Sequence, residues 1–101
     1  MTRKQLVRFN FRISVFKRDN YVCVICGRKA QDAHHITNRN EMPNGGYVKE
    51  NGISLCHACH IQAERGLNGQ SVMEKFMPDY LYKSIQSSKE LAIEKSKNIG
   101  K

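Results

Sequence analysis

Two Cys-x-x-Cys pairs, Cys23/Cys26 and Cys56/Cys59, stand 29 residues apart in a chain of 101. No other feature constrains the fold as much. The two thiols of one pair can reach a single ion, and two pairs complete a closed tetrahedral shell. Bound metal keeps those thiols deprotonated, and its binding free energy becomes folding free energy. The spacing therefore predicts one structural zinc site made by all four cysteines. A redox dithiol needs a single pair in a βαβ setting, and an iron–sulfur cluster is the lesser alternative. Paired motifs of this kind suit a reducing, cytoplasmic setting, where disulfides are rare. The staple is needed, because a 40% apolar composition without Trp leaves a thin core.

Between and beside the pairs lie Asp32-Ala-His34-His35-Ile36, then Asn51, then His60 directly after Cys59. Residues 31–36 read as a strand and Ile53-Ser-Leu55 as a second, shorter one. A helix is expected from about Cys56 to Arg65, closed by Gly66. The intervening loop is dense in turn residues, above all Asn44-Gly45-Gly46, and Asn51-Gly52 is a second turn signal. Neighbouring side chains on a strand point to opposite faces, so His34 and His35 cannot share one role. One can hold a metal together with His60, and the other can face a water beside that metal. An imidazole with pKa ~6.5 suits general-base work near neutral pH, and Asn51 can fix its tautomer by a hydrogen bond. His57, inside the second pair, reads as an ordinary surface residue.

Flanking segments complete a single domain over residues 1–101. Leu6, Phe9, Ile13 and Phe16 recur at helical spacing, with Val7, Phe11 and Val15 on an adjoining strip. This predicts an amphipathic helix over about residues 5–18, ended by Asp19-Asn20, with its apolar side over the zinc module. Phe9 and Phe11 are expected to pack rather than to stack on bases. The core should span about residues 20–67. A helical extension over about 71–95 is expected to start at a Ser71-Val-Met-Glu74 capping box, with Pro78 as a stop. Asp79 is a possible cap for a further helix with Leu81 and Ile85 inside, and a frayed end should follow residue 95.

The net charge of +8 points to a polyanionic partner. Residues 1–30 carry eight Lys/Arg against Asp19 alone, whereas residues 31–70 carry three against four acids. A nearly neutral site region is thus flanked by a basic arm. Arg8, Arg12, Lys17 and Arg18 on the helix, with Arg39 in the loop, are the expected phosphate contacts. No apolar run approaches the ~18 residues of a membrane span, and the start lacks a signal-peptide pattern.

Cys23-x-x-Cys26, Asp32-Ala-His-His-Ile36, Asn51-Gly-Ile-Ser-Leu-Cys56 and Cys59-His60 together resemble the HNH endonuclease family in its zinc-knuckle form. The resemblance covers about residues 20–65. It implies a small α+β domain of the ββα-metal fold. It further implies His35 as general base, Asn51 as its orienter, and His34 with His60 as ligands of a catalytic divalent ion. Many members carry an acid at the position of His34. Two neutral imidazoles favour manganese, nickel, cobalt or zinc relative to magnesium. The implied activity is hydrolysis of DNA phosphodiester bonds without a small-molecule cofactor, and the compact size resembles phage members of the family. A monomer with one site nicks, whereas a homodimer cuts both strands. The alternative is a non-catalytic zinc-stabilised nucleic-acid-binding module, which does not need His34, His35, Asn51 and His60 together. A redox or metal-storage protein leaves the histidine pair and the basic helix unexplained.

Overall fold

A computed structural model describes residues 1–99 of the chain. Its elements are α1 (Arg3–Arg18), β1 (Asp32–His35), β2 (Gly52–Leu55), α2 (His57–Leu67), α3 (Pro78–Ser84) and α4 (Lys89–Ser96), with short 3-10 turns between them. The result is a small α+β fold in which β1 and β2 pair antiparallel, Asp32 opposite Leu55 and His35 opposite Gly52. Gly100 and Lys101, the last residues of the expected frayed end, lie outside the described residues. Among the described residues no helix is long and apolar enough to cross a membrane.

Helix α1 begins two residues earlier than the periodicity suggests, because Thr2 and Gln5 form a capping box. Gln5 N donates to Thr2 Oγ1 (3.2 Å) and Thr2 N to Gln5 Oε1 (2.8 Å). The buried strip also differs from expectation. Phe11, Val15 and Phe16 are buried, while Leu6 and Phe9 remain 48% and 49% exposed. The reason is Gly52. A Cβ there would come within 2.5 Å of Val15 Cγ2 and 2.7 Å of Phe11. The bare glycine admits the Phe11–Val15 strip directly onto the sheet, so α1 covers the β-ribbon rather than the cysteine module. Gly52 thus serves close approach, with φ −125°, and not a turn. The turn at Asn44-Gly45-Gly46 is as expected, all three residues having positive φ.

The other face of the sheet supports the main core. Ile36, Ile53 and Leu55 pack there with Ala63 of α2 and with Phe76, Leu81, Tyr82 and Ala92 from the C-terminal part. Helix α2 runs past Gly66 to Leu67 and is capped by Asn68. Gly66 does not close it. A Cβ at Gly66 would meet Val72 Cγ2 at 2.9 Å and Phe76 O at 3.1 Å, so this glycine too permits contact. Ser71 caps nothing, because the chain stays non-helical until a 3-10 turn over Glu74–Phe76. Pro78 both follows that turn and opens α3, where a missing N–H costs nothing. Asp79 is not its cap; Met77 is, without a side-chain bond. Ser88 caps α4 through Leu91 N (3.1 Å).

Candidate active site and metal centres

Cys23 and Cys26 sit in a tight hairpin. Cys23 N donates to Arg28 O (2.7 Å), Gly27 N to Cys23 O (2.9 Å), and Gly27 takes φ +80°. Cys56 is the N-cap of α2 and its sulfur accepts from Cys59 N at 3.5 Å. The four sulfurs lie within 4.8 Å of one another, with Cys26 Sγ and Cys56 Sγ 3.6 Å apart. A tetrahedron with ~2.3 Å metal–sulfur bonds has edges of about 3.8 Å, so the cluster fits one ion such as zinc. The charges of the group agree with that use. Although burial opposes ionisation, hydrogen bonds from Cys56, Cys26 and Ile25 amides outweigh it and bring Cys23 down to about 7. Burial and the neighbouring sulfurs push Cys59 up. A lone cluster therefore ionises one thiol readily and resists the next, which a cation would reverse.

The alternation of β1 separates the two histidines, as the period of a strand requires. Asp32 and His34 face α2; Ala33 and His35 face α1. His34 is buried to 1% exposure, and burial pushes its imidazole pKa down. Its Nδ1 lies 3.2 Å from Glu64 Oε1 but off the line of a hydrogen bond, so both ring nitrogens lack a hydrogen-bond partner. Glu64 Oε1 is also 3.2 Å from His60 Nε2. The ligand atoms of His34, His60 and Glu64 lie within 4.8 Å of one another, a set able to hold a metal. The His34 ring, then burial and His60, set the Glu64 carboxyl, and the imidazoles win, holding it at about 2. Sequence reading named His34 and His60 but passed over Glu64 as a ligand. The signal was available: His60 and Glu64 are four apart on one helix face. Asp32 stands behind this group. Its Oδ2 is 3.0 Å from His60 Nδ1 and 3.3 Å from Nδ1 of the exposed His57. A carboxylate on Nδ1 leaves Nε2 of His60 free to coordinate.

On the opposite face His35 is wedged between two rings. Phe11 stacks on it at 4.5 Å between centroids, and Tyr47 meets it edge-on at 4.8 Å. Its Nε2 is buried without a hydrogen-bond partner. Burial first, and then Arg39, lower its pKa to about 4, so the ring is neutral at pH 7. The residue lines an open cleft of about 300 Å³ with Arg8, Arg12, Arg39 and Tyr47. Arg39 donates to the Tyr47 hydroxyl (2.9 Å), and Arg8 stands 5.9 Å from the Tyr47 ring centroid. Three of the five arginine and lysine residues expected to meet phosphate thus converge on His35. Neither Tyr47 nor Phe11 was foreseen as its packing partner, since no local pattern links them.

Three expected site residues stand away from the His35 cleft. Arg18 is not directed at a ligand: it grips Asp19 through both carboxylate oxygens (2.8 Å each) and donates to the carbonyls of Lys49 and Gly52. Its guanidinium fastens α1 to the start of β2. Lys17 is exposed but lies outside the cleft lining. Asn51 makes no hydrogen bond to His35. It is fully buried, its Oδ1 accepts from Thr37 N (3.0 Å) and Tyr82 OH (2.7 Å), and its Nδ2 donates to Thr37 O and Gly46 O (3.2 Å each). Thr37 follows His35 by two residues, and Gly46 precedes Tyr47. Asn51 therefore holds both chain segments that frame the histidine, at one remove from the ring.

Comparison with known proteins bears on this geometry. No curated protein matches the chain, and no solved structure does either. The family model described as HNH endonuclease matches residues 23–66, from the first cysteine of the sulfur cluster to the end of α2. That stretch contains both ligand clusters, His35 and Asn51. The likeness to the HNH endonuclease family spans these 44 of the 101 residues.

Proposed function

We propose that the chain is a metal-dependent endonuclease that hydrolyses phosphodiester bonds of DNA, with His35 as general base. One observation carries this reading. Adjacent histidines are delivered to opposite faces of one strand, His34 into a three-ligand cluster and His35 into a cleft lined by Arg8, Arg12 and Arg39. A non-catalytic binding module needs the arginines but has no use for the second arrangement. Zinc is the ion we assign to the four cysteines, with a structural role, because four thiolates leave no open position.

The second ion belongs to His34, His60 and Glu64. The fit rests on the two unpartnered nitrogens of a buried His34 and on a mixed imidazole–carboxylate donor set. That set accepts manganese, cobalt, nickel or zinc, and the carboxylate makes magnesium less unfavourable than two imidazoles alone would. When bound, the ion supplies charge neutralisation at the phosphate and at the departing oxygen. The chain's own groups do the rest. Arg8, Arg12 and Arg39 hold the phosphate and orient it. His35, neutral at pH 7, takes a proton from the attacking water. Phe11 and Tyr47 fix the plane of its ring and exclude bulk solvent from it. Asn51 keeps the two framing segments at their spacing.

The test is cleavage of supercoiled plasmid by zinc-loaded protein across a panel of divalent metals. His35→Ala should reduce the rate by about 10²–10⁴ with zinc content and DNA affinity unchanged. Glu64→Ala should instead raise the metal concentration needed for half-maximal rate. Failure of the wild type with every metal overturns the reading in favour of the binding module.

A further inference from the structure

Beyond the His35 cleft lies a second, larger recess of about 550 Å³, lined by Arg3, Lys4, Val7, Arg8, Tyr47 and Ile99 together with Asn44. Arg8 and Tyr47 line both, so the two recesses adjoin along α1. None of the residues lining either part is acidic. Val7, Ile99 and the Tyr47 ring give the second part an apolar floor, and Arg3, Lys4 and Arg8 give it a cationic rim. That combination suits a sugar–phosphate backbone, whose sugars are weakly polar and whose phosphates are anionic.

The spacing along α1 agrees. Lys4, Arg8 and Arg12 follow one another at four-residue steps, about 6 Å of helix rise each and about 12 Å in all. One strand of DNA advances ~3.4 Å of axis per phosphate, so this row spans three to four phosphate steps. The placement is also contrary to the needs of the helix. Its first turn contains no acid and instead carries Arg3 and Lys4, where the helix dipole disfavours cations. A chain selected for helix stability alone puts acids there.

We propose that the recess is a backbone-binding subsite, and that it holds the DNA strand leading away from the His35 cleft along α1 from Arg12 towards Lys4. The proposal rests on the nuclease reading only for what occupies the His35 cleft. It makes α1, outside the matched stretch, the element that sets how many nucleotides one strand engages.

The experiment measures binding, without added divalent ions, of fluorescent single-stranded DNA of three and of twelve nucleotides to the full zinc-loaded chain. Wild type is compared with the double variant Arg3→Gln/Lys4→Gln over a salt series. Circular dichroism verifies that the variant keeps its fold. The twelve-nucleotide strand should bind roughly tenfold more weakly to the variant. Its slope of log K against log salt should shrink by roughly 1.4, two contacts at ~0.7 each. The three-nucleotide strand, which fills only the cleft, should bind within twofold of wild type. Unchanged affinity and slope for the long strand overturn the proposal. Equal weakening of both strands also overturns it, as that is the mark of diffuse charge. Binding as expected by a chain that cleaves with no metal upholds the subsite and refutes the nuclease reading instead.

Discussion

Replacing Asn51 by Ala should cost far more in stability than the loss of one surface amide. The side chain is fully buried and makes four hydrogen bonds, to Thr37 N, Thr37 O, Gly46 O and Tyr82 OH. The Tyr82 hydroxyl keeps a second partner, Thr37 Oγ1 at 2.6 Å. The three backbone groups lose this buried partner. At about 1–2 kcal/mol for each of these three stranded groups, the variant should lose about 3–6 kcal/mol. That is a large part of the ~5–15 kcal/mol that holds a small domain together. Asn51→Asp should be worse. It keeps the acceptor for Thr37 N and Tyr82 OH but turns a second carboxylate oxygen towards two carbonyls, burying a charge without a donor. Tyr82→Phe should be mildest, since it removes one donor and leaves the amide's other three bonds. Urea unfolding of the zinc-loaded variants at pH 7, followed by far-ultraviolet circular dichroism, ranks them. An Asn51→Ala protein within 1 kcal/mol of wild type would refute the reasoning.

Three further outcomes are expected. Cys56→Ser should abolish tight zinc retention and unfold the domain, because structural zinc contributes on the order of 10 kcal/mol of folding free energy; elemental analysis and circular dichroism check both halves. Gly52→Ala should destabilise the fold by roughly 1–3 kcal/mol by forcing Val15 and Phe11 off the sheet, measured by urea unfolding. For pH, the depressed pKa of His35, about 4 against an unfolded ~6.5, means that the unfolded chain binds the proton more readily between those values. Its contribution to stability is therefore complete above about pH 6.5 and declines as pH falls towards 4. Wild type should lose more stability between pH 7 and pH 5 than His35→Gln does, by parallel urea titrations; equal losses would contradict the buried, neutral ring.

Some of this was legible in the chain itself. Cysteine spacing is a local property of two short motifs, so the four-sulfur cluster followed directly from it. The period of a strand separates His34 from His35 whatever surrounds them. What escaped was set by distant partners. Two apolar strips on α1 looked equally suited to burial, and the choice between them was made by a missing Cβ in β2, at Gly52. Arg18 looked like its basic neighbours until Asp19 and two carbonyls of a remote segment claimed it. Asn51 finds Tyr82 across 31 residues of sequence, which no turn preference encodes. Glu64 alone was recoverable, from its four-residue offset to His60.

The shortness of the β-ribbon gives the sulfur cluster a second consequence. Each strand has only four residues, and few backbone bonds oppose a shift of one strand along the other. A slip by one position turns every side chain to the opposite face. Here it would send His35 to Glu64 and His34 to the arginines, exchanging ligand and base with no change of sequence. The cysteine hairpin blocks that exchange. Its Val24 N bonds Ser54 O, Gln31 N bonds Leu55 O, and Cys56 begins α2 immediately after β2. An ion held by the four sulfurs would fix that hairpin and so act as a reading-frame mark for the sheet.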